Sequence, residues 1–215
     1  DVKAAKDYAG SALILFPDYH YALGQMGEIL EAEGDHEAAR ARLARRYEVA
    51  PHPENLYRLA VATEAAGAAE EAQQMFADFE KAALAESKSL DNANLELIEF
   101  WTDHVKSPEA MARALELAGA RASVRSDIPT LSALAWAQHG SGDSAAAWET
   151  ISKALAVGSV NARLRFRAGE IAAAAGQPDA AEEHYQIAMQ TAPRSRFGRK
   201  ALEALTGMPA RSEAE

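Results

Sequence analysis

The chain has 215 residues, 48% of them hydrophobic and 25% charged, the balance of an ordinary globular chain with ample material for a core. Its formal net charge of −10 argues against nucleic-acid phosphates or an anionic membrane surface as the main partner, because both call for concentrated Lys and Arg. The absence of cysteine excludes disulfides, thiol nucleophiles and cysteine-ligated zinc, and no apolar run is long enough for a membrane-spanning helix.

The chain starts at Asp1, without an initiator Met or a signal-like segment, so a leader, tag or upstream domain removed from its front is expected. Residues 1–17 read as the second half of a helical hairpin. Ala5, Ala9 and Ala12 form its small face, Tyr8 and Leu13 its bulk, and Phe16-Pro17-Asp18 its end. From His20 to Pro51 comes a full hairpin. Leu23, Met26, Gly27 and Leu30 line its first helix, Gly34-Asp35 marks its turn, and Ala39 and Leu43 line its second. The next hairpin, 53–84, repeats this through Leu56, Leu59, Ala60, Gly67, Ala72 and Phe76. Pro17 and Pro51 are 34 residues apart, and Gly34 and Gly67 are 33 apart.

The period then slips. Gly142 follows Gly67 by 75 residues, and an insertion around 83–92 that extends the preceding helix and then loops accounts for the excess. The irregular unit 92–124 puts Leu95, Ile98, Thr102 and Val105 on one helical face. Ser107-Pro108-Glu109 opens its second helix, a serine N-cap followed by proline. Regularity returns over 128–160 with Leu131, Leu134, Ala135, Gly142-Asp143, Ala147 and Ile151. The last hairpin, 162–193, closes its first helix and opens its second with Gly176-Gln177-Pro178-Asp179, 34 residues after Gly142. Residues 195–206 fit a helix capping the exposed end, and 208–215 read as a disordered tail.

One such hairpin cannot bury its own apolar stripe, so each unit predicts its neighbours. The small-residue positions Ala168, Gly169 and Ala181, with Tyr185 one turn later and Pro193 at the end, resemble the tetratricopeptide-repeat pattern, and four of the five units share it. The pattern departs from the family in Leu23, Leu56, Leu131 and Arg165, where an aromatic is preferred early in the first helix. The resemblance implies an all-α, right-handed superhelical solenoid of antiparallel helix pairs over 1–207, with a concave surface lined by the first helix of each pair. It also implies a partner segment held on that surface. The alanine-rich, acidic style is similar to that of bacterial chains, with cytoplasm and periplasm both left open.

Helical spacing then gives the inward-facing candidates: Tyr21, Gln25 and Glu28; Tyr57 and Arg58; Trp136 and His139; Arg163, Phe166, Arg167 and Glu170. Aromatics and arginine concentrate binding energy because they bury much area and make directed contacts. Aromatics at helical spacing equally fill the gaps between repeats, so Tyr57, Trp136 and Phe166 read either way, and Arg58, Arg163 and Arg167 read also as solvated charge. If both line the groove, Arg163 and Arg167 stand one turn apart and suit a carboxylate of the partner. The lysine and asparagine clamp with which one subgroup of the family binds chaperone tails is not met, since Gly24, Glu28, Arg58 and Ala133 stand at its places.

The six histidines have no metal-ligand spacing and read as surface residues, and neither a phosphate-cradling loop nor a nucleophile elbow occurs. No catalytic residue, metal or cofactor is therefore expected. The expected function is a non-catalytic scaffold for a protein or peptide segment. The alternatives are the repeat portion of a larger enzyme or signalling protein that positions substrate for a catalytic domain elsewhere, and self-association of the repeats.

Overall fold

Turn chemistry sets the helix ends. The computed structural model describes residues 2–89 and 92–208, and every described element in it is helical. Gly34, Gly67, Gly142 and Gly176 have φ of 81°, 91°, 89° and 72°, the left-handed conformation that ends a helix without a Cβ clash. Directly after two of them, Asp35 and Asp143 accept the backbone N–H of Ala38 (3.2 Å) and Ala146 (3.0 Å), starting the next helix. Pro53, Pro108 and Pro178 each stand first in a helix, where a missing N–H costs nothing.

The contacts divide the chain into two compact units, Asp1–Ala118 and Gly119–Glu215. Unit 1 contains α1 (Val2–Leu15), α2 (His20–Glu33), α3 (His36–Val49), α4 (Pro53–Ala65), α5 (Ala69–Glu86) and α6 (Asn94–Phe100). Most of α7 (Pro108–Ala122) also lies in unit 1, and the division falls inside that helix. From α1 to α6 each helix packs against the next in sequence. Unit 2 contains α8 (Ile128–Gly140), α9 (Ser144–Leu155), α10 (Ala162–Ala174), α11 (Pro178–Thr191) and α12 (Arg196–Gly207), packed in the same manner, with α8 and α12 also touching α10. The tail expected at 208–215 lies, apart from Met208, outside the described residues, as do Leu90 and Asp91 of the insertion.

Both cores alternate alanine with larger side chains. In unit 1, Met26 and Leu30 cluster with Ala9 and Ala39, and Leu43 with Leu59 and Ala62; in unit 2 Ala135, Ala147, Ile151, Leu164, Ala168 and Ile171 belong to one cluster. Small residues let helix axes approach, and each bulky neighbour fills what they leave open. At Gly169 the approach of α10 to α11 is close, because a Cβ there would fall on the ring of Tyr185. The bulk expected of Tyr8 in the first half hairpin is not used, for that ring is exposed and Ala9 is the buried residue of α1.

The irregular unit departs most from the predicted register. After α6 the helix widens into a π turn over Trp101–Val105, and Lys106, not a glycine, takes the left-handed position (φ 57°) with its N–H on the Trp101 carbonyl at 2.9 Å. The wider turn rotates the buried face. Leu97, Ile98, Phe100, Trp101 and Thr102 are buried, whereas Leu95 is half-buried and Val105 exposed, against the face predicted from a uniform α-helix. The rotation brings His104 onto Phe76, with centroids 4.3 Å apart.

Candidate interaction surface

Along α2 the residues that are not spent on the core fall in one stripe. Tyr21, Gln25 and Glu28, at i, i+4 and i+7, are exposed, Tyr21 to 61%. Gly24 lies within the stripe, and the guanidinium of Arg46 rests on it from α3, so close that a Cβ at Gly24 would stand 2.7 Å from its Nη1. Mid-helix glycine costs about 1 kcal/mol relative to alanine. Here it makes room for that cation.

Arg46 joins a group of charges contributed by four helices. It senses Glu28 of α2, Arg58 and Glu54 of α4, and Glu96 of α6. Arg58 stands 3.6 Å from Glu96 and 3.8 Å from Glu99. Burial pushes the Glu96 carboxyl above its ordinary value, with Arg58 pulling the other way and Glu99 adding to the rise. Burial likewise lowers the affinity of Arg46 for its proton, opposed first by Glu28.

In unit 2 the candidates gather on α8 and α10. Trp136 stacks on His139 at 5.0 Å between centroids, and the Arg167 guanidinium lies 5.2 Å from the Trp136 ring centre. Glu170 accepts the Tyr185 hydroxyl at 2.6 Å. That phenol is held well above its ordinary pKa by burial and by the bond to Glu170, and burial lowers His139, partly offset by Glu170.

No family model and no curated protein matches the chain. Among solved structures, a thermophilic tetratricopeptide-repeat protein from Thermus thermophilus is similar over 87% of this chain and 99% of its own, at 21% identity and a TM-score of 0.59. A tetratricopeptide-repeat protein from Parabacteroides merdae is similar over 95% of this chain and 77% of its own, at 18% identity and a TM-score of 0.57. The fold is that of the tetratricopeptide repeat. Among the described residues, no helix is long and apolar enough to cross a membrane, and no three His, Asp or Glu side chains are grouped so as to hold a metal ion.

Within the repeat frame the expected site residues divide by burial. Tyr57 is 2% exposed and packs on Phe76, Phe79 and His104, and Phe166 is 7% exposed against Tyr185 and Phe197. Both aromatics are core. Arg167, also 2% exposed, is sealed against Trp136, and Arg163 leans over Phe197 at 5.7 Å, so the two do not form an open pair for a carboxylate. Their bulk fills the space between hairpins, which is why helical spacing alone could not sort them. Tyr21, Gln25 and Glu28 keep their surface, and Arg58, Trp136, His139, Arg163 and Glu170 are half-buried. Two histidines read as surface are enclosed. His184 packs near Trp148 beside Arg165, which with burial lowers its pKa, and His104 sits in the aromatic core 3.5 Å from Glu64. Reading only first helices missed Arg46, which arrives from a second helix; Glu54, Glu96 and Glu99 lie on first helices but were not among the expected residues. Gly24 was the signal for the former.

Proposed function

We propose that the chain is a non-catalytic scaffold that holds a peptide or protein segment against the face built by the first helices of unit 1, α2, α4 and α6. The observation that carries this reading is the exposed stripe Tyr21, Gln25 and Glu28 beside the charges of Arg46, Arg58 and Glu96. Burying an aromatic side chain on association is worth about 1.5–3 kcal/mol, so a tyrosine left in solvent on an otherwise well-packed helix is an anchor in waiting. The surrounding charges give direction and register to what lands there. Trp136, His139, Arg163 and Glu170 form a second, half-buried candidate patch in unit 2.

Peptides selected from a phage-displayed library on the wild-type chain test this. Their affinity is expected to fall about tenfold or more in the Tyr21→Ala, Gln25→Ala double variant, with helicity unchanged by circular dichroism. Equal affinity for both proteins would place the site elsewhere.

A further inference from the structure

Charge is unevenly shared along the chain. Residues 1–118 contain 11 Lys and Arg against 22 Asp and Glu, and residues 119–215 contain 11 against 10, so the first unit has a net charge of −11 and the second +1. Within unit 1 the acidic helices are α5, with five carboxylates against Lys81, and the first helices. From α2, α4 and α6 with its π turn come eight carboxylates, no lysine and a single arginine, Arg58. The four arginines of α3 are largely committed: Arg40 bonds Glu71, Arg45 bonds Asp18 and Glu48, and Arg46 lies over Gly24. Around Arg46 of α3 and Arg58 of α4 stand Glu28, Glu54, Glu96 and Glu99, four carboxylates to two guanidinium groups. The contacts of Arg58 with Glu96 and Glu99, at 3.6 and 3.8 Å, are longer than hydrogen bonds, and Glu28 reaches solvent.

The carboxylates of the first helices share their elements with the exposed Tyr21 and with Arg58, whereas α5 has neither a tyrosine nor an arginine and its two phenylalanines are buried. We infer that the α2–α4–α6 face of unit 1 takes a segment that presents Lys or Arg to Glu28 and Glu96 and an apolar or aromatic side chain to Tyr21. This rests on the interaction reading above and adds the chemistry of the partner. Complementary charge of this kind speeds encounter and rejects acidic competitors, and the contact at Glu28 weakens with salt because it is exposed.

Two pools of short fluorescein-labelled peptides test it, identical in their randomised neutral and aromatic positions, one with fixed lysines and the other with fixed glutamates. Anisotropy titrations are expected to give about tenfold tighter binding of the lysine pool at low salt, narrowing as salt rises. Glu28→Lys is expected to weaken the lysine pool about fivefold or more. Glu70→Lys, an equal change of net charge at an exposed position on the second helix α5, is expected to leave it nearly unchanged. Equal binding of the pools, preference for glutamate, or equal loss in both variants overturns the basic-partner inference. The interaction reading survives those results if Tyr21→Ala still weakens binding. Absence of binding by either pool, or indifference to Tyr21→Ala, overturns both.

Discussion

Gly169→Ala examines how the repeat packs. The added methyl would lie 2.5 Å from Cδ1 and 3.0 Å from Cζ of Tyr185, a ring that is buried and tied by its hydroxyl to Glu170 at 2.6 Å. Unlike the end of a flexible chain, this ring cannot swing clear without giving up the Glu170 bond. Overpacking costs about 1–3 kcal/mol, and a hydrogen bond to a charged group contributes about 1.5–3 kcal/mol when lost. Alanine returns about 1 kcal/mol of helix propensity. The balance is a destabilisation of about 3 kcal/mol, read as a lower urea midpoint with an unchanged slope. Gly24→Ala is the control. There the obstruction is the guanidinium end of Arg46, which can move, so the propensity gain should dominate and stability should hold or rise by up to about 1 kcal/mol. Tyr185→Leu introduced with Gly169→Ala should recover part of the loss, a non-additivity that marks direct contact. If Gly169→Ala were as stable as the wild type, the close-approach account of α10 and α11 would be refuted.

Other expectations follow from the same geometry. Asp143→Ala removes the cap on Ala146 and should cost about 1 kcal/mol by denaturant titration, without altering the helix content of the folded state. Ile151→Ala, at a fully buried position of the unit 2 core, should cost about 2–4 kcal/mol, and a loss near zero would mean that the core around it is not closed. His139 and His184 both have folded pKa values lowered by burial, so the folded state prefers them neutral. Their stabilisation is complete above the ordinary histidine value of 6.5 and is lost as pH falls through that value towards the lower folded ones. Melting temperatures measured across mildly acidic pH should therefore drop more steeply in the wild type than in the His139→Gln, His184→Gln double variant. Parallel curves would remove these histidines from the acid response.

Helix positions were legible because their signals are local. Gly34 and Gly142 next to capping aspartates, and Pro53 and Pro178 at first helical positions, dictate ends that no distant contact needs to confirm. The irregular unit was legible only in part, since Lys106 hides a left-handed turn that sequence reading assigns to glycine, and the π turn before it shifts Phe100 and Trp101 into the core. The candidate surface was the least legible part. Helical spacing makes both Tyr21 and Tyr57 inward-facing candidates, yet one is exposed and the other is enclosed by Phe76, Phe79 and His104, side chains supplied by α5 and the π turn. Which first-helix residue is sealed depends on what its partner helix and the next hairpin bring to it, and that is a property of tertiary packing. Arg46 was missed for the same reason, because its place on the α2 stripe depends on a gap at Gly24 in another helix.

The most direct test of an interaction face on unit 1 is amide chemical-shift mapping of the isotope-labelled chain, titrated with the tightest library-selected peptide. The account predicts that the largest shifts cluster at Tyr21, Gln25, Glu28 and Arg58 and at the start of α6. Shifts confined to the outer residues of α3 and α5, or to unit 2 alone, would contradict it.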